Sequence, residues 1–208
     1  MSTRTLRRRA LVRLALACLI ASPMPVRAAD PAVIAPIQHL YDALLGAMKT
    51  GRSAPFKQRY DQLAPIIDAV FDLPTILQTS IGPPWNGLSA DQHSTLLAAF
   101  RRYTIATYVA NFDTFNGQRL DISPDTRALP NNQQVVATSI IPPSGDSHRL
   151  DYVMRQTDGV WRAVDVLADG TISRVAVQRS DFRRMLLQGG GAALVASLQS
   201  KADQLAGA

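Results

Sequence analysis

From residue 31 onward the hydrophobic positions fall into two regimes, one with a helical period and one with a two-residue period. Ile37, Leu40, Tyr41, Leu44, Leu45 and Met48 recur at steps of three and four, an apolar stripe that predicts a helix from Pro31 to Lys49, ended at Gly51. A second helix begins near Pro55 with Phe56, Tyr60 and Leu63 turned inward. Pro65, which has no N–H to donate, is expected to kink or break it before Ile66, Ile67 and Val70. Asp72 is placed to cap a short third helix, with Pro74 tolerated in its first turn and Gly82-Pro83-Pro84 ending it. Ser89-Ala90-Asp91-Gln92 spells a capping box, in which the Ser hydroxyl and the Gln amide each satisfy a free backbone group. The helix behind it, to about Asn111, is the longest continuous one. Leu96, Phe100, Tyr103 and Thr107 share a face that Leu97, Thr104 and Tyr108 widen, while Arg101 and Arg102 lie off it.

Beyond Gly117 the period changes. Residues 118–128, 134–141, 149–156 and 161–167 are rich in Val, Ile and Tyr and are separated by Pro, Asn, Gly and Asp, which predicts four successive strands. Asn131-Asn132, Pro142-Pro143-Ser144-Gly145 and Asp158-Gly159 are the expected turns, the last with a dipeptide favoured in tight hairpins. Pro124 confines the first strand to an edge or demands a bulge. Helix returns from Thr171 to Leu187, breaks at Gly189-Gly190-Gly191 and resumes from Ala192 to about Leu205. Helices, a meander of antiparallel strands and then helices make an α+β domain. It is expected to be a twisted antiparallel sheet of four to five strands with helices packed on one face.

The N-terminal segment has to be set aside before charge means anything. Five arginines up to Arg13, an apolar run from Leu14 to Ala21 and the small-residue site Val26-Arg27-Ala28 have the layout of a secretory signal peptide over residues 1–28, with a single domain over 29–208. Arg8-Arg9 leaves twin-arginine export as the alternative to the general secretory route. The chain is formally +6, but residues 1–28 hold six arginines and no acid, which leaves 16 basic against 16 acidic side chains. The high isoelectric point therefore belongs to the leader, and a nucleic-acid partner is not expected. The only cysteine, Cys18, also lies there, in a poor context for lipid attachment, so the remaining chain has no thiol for a disulfide or a metal.

Chemistry is sparse. His39, His93 and His148 have no second ligand at metal spacing, and there is no G-x-S-x-G, phosphate loop or dinucleotide fingerprint. Asp165 lies between Val164 and Val166, so strict alternation sends it to the face opposite both valines. A covered carboxylate needs a partner, for which Arg155, Arg162, Arg174 and Arg179 are candidates. A structural ion pair anchoring helix to sheet is the favoured role, with solvent exposure and general-base catalysis as alternatives. The stretch from Leu150 to Met185 is thus a half-apolar surface with a helix to close over it and no catalytic pair.

The order of motifs is recognisable at this point. Phe71-Asp72-Leu73-Pro74-Thr75-Ile76, Gly82 with Trp85, Leu88-Ser89-Ala90-Asp91-Gln92, Phe100-Arg101-Arg102-Tyr103 and Thr107-Tyr108 resemble the N-terminal half of the MlaC family, also called toluene-tolerance auxiliary proteins. Tyr152-Val153-Met154-Arg155, Asp158-Gly159-Val160-Trp161, Val164-Asp165-Val166, Gly170-Thr171-Ile172-Ser173 and Gln178-Arg179-Ser180-Asp181-Phe182 resemble its C-terminal half. Ala176 to Phe182 is most similar to the hopanoid-associated HpnM branch. Pro83-Pro84-Trp85-Asn86-Gly87 departs from the usual family segment.

The resemblance implies a monomeric periplasmic carrier that holds a phospholipid, or in the HpnM branch a hopanoid, by its apolar part. It implies docking to an inner-membrane ABC-transporter complex and an outer-membrane complex. Its apolar cavity would lie between helices and sheet, with Phe71, Ile76, Leu96, Phe100, Tyr103, Thr107, Tyr108, Val136, Ile140, Tyr152, Val164, Val166 and Phe182 as lining candidates. No catalytic residue, metal or cofactor is expected. The physics agrees: two acyl tails carry about 30 methylenes at ~0.8 kcal/mol each, so roughly 24 kcal/mol opposes moving a lipid bare through water. Two rivals remain, namely an isomerase or hydratase of small hydrophobic substrates on a related, NTF2-like α+β fold using a Tyr/Asp pair in the cavity, and a non-catalytic envelope adaptor with a solid core.

Overall fold

In a computed structural model that describes residues 31–207, the first apolar stripe is the inner face of α1 (Pro31–Thr50), where Val33, Ile37, Leu40, Tyr41 and Leu44 are all buried. The predicted leader, residues 1–28, lies outside the described residues. A short 3-10 turn, Gly51–Ser53, reverses the chain into α2 (Phe56–Val70). Contrary to the expected kink or break, α2 runs unbroken through Pro65. Pro65 is on the exposed side of that helix, so the carbonyl deprived of its N–H partner faces solvent while Leu63, Ala64, Ile67 and Val70 stay buried.

The predicted caps are present. Asp72 accepts from the Thr75 amide (3.0 Å) and hydroxyl (2.8 Å), opening α3 (Leu73–Ile81). In the capping box the Gln92 amide donates to Ser89 Oγ (3.2 Å) and the Ser89 amide to Gln92 Oε1 (2.8 Å), opening α4 (Ala90–Asn111). The divergent segment before it is a 3-10 turn, Pro83–Gly87. Trp85 in this turn stacks on His93, with ring centroids 3.9 Å apart and planes 8° from parallel, and the Trp85 carbonyl is 3.0 Å from His93 Nε2. The histidine is thereby occupied in joining the turn to α4.

Five strands form one antiparallel sheet in chain order: β1 (Arg119–Leu129), β2 (Gln133–Ile141), β3 (His148–Thr157), β4 (Val160–Ala168) and β5 (Ile172–Ser173). Asn131 and Asn132 take positive φ between β1 and β2, and Asp158 and Gly159 do so between β3 and β4, the geometry of tight hairpin turns. β1 carries an irregularity between Ile122 and Thr126, around Pro124. The two-residue β5 was read as the start of helix. The helix instead begins three residues after Thr171, because Ile172 and Ser173 still pair with Ala168 and Leu167 and Ser173 then caps it through the Ala176 amide.

That last helix, α5 (Arg174–Ala206), is kinked where the triple glycine predicted a break. Gly189 and Gly190 leave helical geometry, and Gly190 has φ +64°. Its second half packs on α4: a Cβ at Gly191 would sit 3.7 Å from Leu88 and 3.8 Å from Leu96, and Leu194, Leu198 and Ala202 are buried. The helices cover one face of the sheet. Ile37, Leu40, Leu44, Leu63, Ile67, Leu77 and Leu96 are almost wholly removed from water, each burial worth about 1.5–3 kcal/mol. On the other face Val135, Val153 and Val164 form a small separate cluster.

Candidate functional site

The site is the place where this helical layer does not fill the space above the sheet. A cavity of about 320 Å³ opens between α3, α4, the first half of α5 and the sheet. α3 contributes Leu73 and Ile76, with Phe71 just ahead of it; α4 contributes Phe100, Tyr103, Thr104, Thr107 and Tyr108. The floor is Leu150, Val166 and Ala168, and α5 adds Val175. Phe71 is held at the edge of β4 by a bridge to Ala163, and the next amide, from Asp72, donates to the Ala163 carbonyl (3.0 Å). Arg155 anchors the same corner, reaching Asp72 Oδ2 at 2.9 Å and Thr75 Oγ1 at 2.8 Å.

Of the thirteen candidates, Phe71, Ile76, Phe100, Tyr103, Thr107, Tyr108 and Val166 line this cavity. Leu96, Val136, Tyr152 and Phe182 are buried in the surrounding core instead. Phe182 meets Phe100 edge to face at 6.2 Å, and Tyr152 packs between Tyr41 (6.1 Å) and Phe71 (6.2 Å). Ile140 is half-buried on β2 and takes no part in the cavity, since α1 lies on that side of the sheet and sends the Tyr41 hydroxyl to Thr138. Val164 is a correction. The β3–β4 pairing shifts so that Met154 faces Ala163 and Val153 faces Asp165, leaving Val164 unmatched and turned into the opposite cluster with Val135 and Val153.

The same bulge corrects the reading of Asp165. Val164 and Val166 are on different faces, and Asp165 borders the cavity beside Val166. Among the described residues it forms no ion pair. Its Oδ1 accepts from the Val166 amide (2.8 Å) and the Val175 amide (3.1 Å), and its Oδ2 from the Ser173 hydroxyl (2.5 Å). It ties β4 to the start of α5 through neutral donors, where an arginine was expected.

Periodicity placed Thr104 on the α4 face without naming it as a wall residue, and it missed Asn111 and Phe112, which continue that face by one turn beyond Thr107 and Tyr108. It also missed Leu73, Leu150, Ala168, Arg174, Val175 and Gln178. The available signal on α5 was the four-residue spacing Arg174, Gln178, Phe182, which marks one side of that helix.

The phenols here are protected from ionising. Burial pushes those of Tyr41, Tyr108 and Tyr152 above the ordinary tyrosine value. The Tyr152 hydroxyl faces those of Tyr41 and Tyr108 but reaches hydrogen-bond geometry with neither. Among the described residues no hydrogen bond joins Asp165 to a tyrosine, and no group of His, Cys and Asp side chains could hold a metal. What the arrangement can do is shelter an apolar body, with polar side chains confined to Thr104, Thr107, Asn111, Asp165, Arg174 and Gln178 besides the phenols.

Comparison with curated proteins returns no match. Among solved structures, the fold is similar to that of the phospholipid-binding protein from Ralstonia solanacearum in complex with a phospholipid. The TM-score is 0.72 at 21% sequence identity, over 84% of this chain and 98% of that one. Residues 38–200 match the family described as MlaC protein, so nearly the whole described chain, helices and sheet alike, belongs to the MlaC family.

Proposed function

We propose that this protein is a non-catalytic periplasmic lipid carrier, binding acyl tails in the cavity between α4 and the sheet and shuttling them between an inner-membrane ABC-transporter complex and an outer-membrane complex. The observation that carries the reading is the cavity itself, a partly open void lined mainly by aromatic and aliphatic side chains beside a densely buried core. At about 320 Å³ the cavity lies at the small end of the roughly 300–1,000 Å³ usual for ligand pockets, room for part of an acyl chain. Two full tails need more, and loading therefore requires the walls to part. The first half of α5 is the wall with a joint in it, at Gly189 and Gly190, and its anchors at Asp165, Ser80 and Phe100 would have to yield or shift with it.

The rival enzyme reading needs a poised acid or base. Burial moves the phenols away from ionisation near neutrality, and both carboxylate oxygens of Asp165 are committed to backbone and hydroxyl donors. A hopanoid cargo is a second reading, favoured by the likeness of residues 176–182 to the HpnM branch. The near-neutral charge beyond residue 28 suits a carrier, taken to be a monomer on the family resemblance alone, that meets its partners through local patches and without nucleic acid. Organic extraction of the purified protein followed by lipid mass spectrometry tests the proposal. About one lipid per chain is expected, and finding neither bound lipid nor uptake from vesicles would overturn it.

A further inference from the structure

The cavity is apolar in depth and polar at its mouth, and one residue at that mouth has no structural employment. Arg174 is exposed, borders the cavity and, among the described residues, is the only basic side chain that does so. It makes no ion pair or side-chain hydrogen bond with any described residue, whereas Arg155 is tied to Asp72, Arg149 to Asp151 and Arg101 to Asp68. Its position is also unhelpful to its own helix, since a cation in the first turn opposes the helix dipole. Donors accompany it on both walls. Gln178, one turn along, uses its Oε1 to accept from Ser80 (3.2 Å), which leaves its amide N–H groups unspent. Asn111 is exposed at the end of α4 opposite. The nearby acid, Asp165, already has three donors on its oxygens, which offsets its repulsion of an anion.

We infer that Arg174, supported by Gln178 and Asn111, is a headgroup subsite selecting lipids that carry a phosphate at the mouth of the cavity. This rests on the carrier reading above and sharpens its cargo to a phosphate-bearing amphiphile, at the expense of a neutral one. A guanidinium matches phosphate oxygens in a two-pronged geometry, and a hydrogen bond to a charged group is worth about 1.5–3 kcal/mol. Removing it should therefore cost roughly tenfold or more in preference.

The experiment offers the full protein vesicles containing equal amounts of phosphatidylglycerol and diacylglycerol with identical tails, then re-isolates it and quantifies bound lipid. Wild type is expected to be enriched in phosphatidylglycerol by about tenfold. Arg174→Ala should lose that enrichment while still taking up diacylglycerol, and Arg174→Lys should keep part of it. Wild type that takes both lipids equally, or Arg174→Ala that keeps the enrichment, overturns the subsite and leaves the carrier reading standing. Wild type that takes neither removes both. Millimolar inorganic phosphate added to the mixture should leave the enrichment intact. Its loss would reassign Arg174 to the free anion and refute a headgroup site.

Discussion

The helical layer treats the two ends of the sheet differently. Under α1 and α2 the space is filled: Ile37, Leu40, Leu44, Leu63 and Ile67 interlock, and Tyr41 reaches across to Thr138 on β2. Under α4 and the first half of α5 it stays open. Tyr108 makes the contrast plain, because its ring packs on Phe71 at 5.5 Å and on Phe112 at 5.9 Å yet still borders empty volume. The solid end supplies stability and the hollow end supplies room, so substitutions at the two should separate those quantities.

The largest effect is expected at the solid end. Leu40→Ala or Leu44→Ala should cost about 2–5 kcal/mol in urea unfolding, because each leaves a void among rigid neighbours, while the folded fraction still loads lipid. Normal stability in both variants would mean that this end is not the anchor. At the hollow end Thr107→Trp should do the reverse. Its hydroxyl serves only the Tyr103 carbonyl one turn back (2.8 Å), so the indole can occupy the void with little loss of stability. Lipid per chain should fall tenfold or more, a handicap of at least ~1.4 kcal/mol. Full loading would place the lipid elsewhere.

Gly190→Ala probes the joint between the halves of α5. A side chain at φ +64°, ψ −159°, backbone geometry essentially reserved for glycine, costs about 1–3 kcal/mol, which a thermal melt can detect, although the space around it is open. A stiffened or displaced joint should also slow uptake from vesicles more than it lowers the final occupancy.

The smallest effect is a gain. Tyr152→Phe removes a buried hydroxyl without a partner and should leave stability unchanged or raise it by up to ~1 kcal/mol. It also has a pH signature. The folded phenols of Tyr41, Tyr108 and Tyr152 titrate above their unfolded counterparts, near ~10, because burial disfavours the phenolate. Their contribution is therefore fully present below about pH 10 and is lost as pH rises through the folded values. Alkaline unfolding of Tyr152→Phe should be displaced to higher pH, and an unchanged midpoint would contradict the raised value.

Element type, order and caps were legible because they rest on local chemistry: Asp72 and Ser89 bond to amides three residues away, and the hairpins turn at residues that tolerate positive φ. The walls of the cavity were less legible. Val164 and Asp165 obey alternation until one unmatched residue on β4 shifts the face, and a bulge leaves no mark in the pattern of valines. Pro65 was misjudged because solvent satisfies the carbonyl it abandons, which depends on the side of α2 it occupies. Ile140 and Val136 carry the same apolar signal as Val166. Only the placement of α1 over their part of the sheet separates core from wall.

The borders of the sheet bear on how the chain survives in company. A bare strand border offers unpaired N–H and C=O groups to any neighbouring chain. At β1 that border is interrupted by Pro124 and its bulge and studded with the Arg119–Asp121 pair (2.8 Å). At β4 it is closed by Phe71 at Ala163 and, farther along, by β5. Both borders of the sheet are thus blunted against polymerisation through the backbone, a need that the proposed greasy cargo would sharpen, and no disulfide takes part.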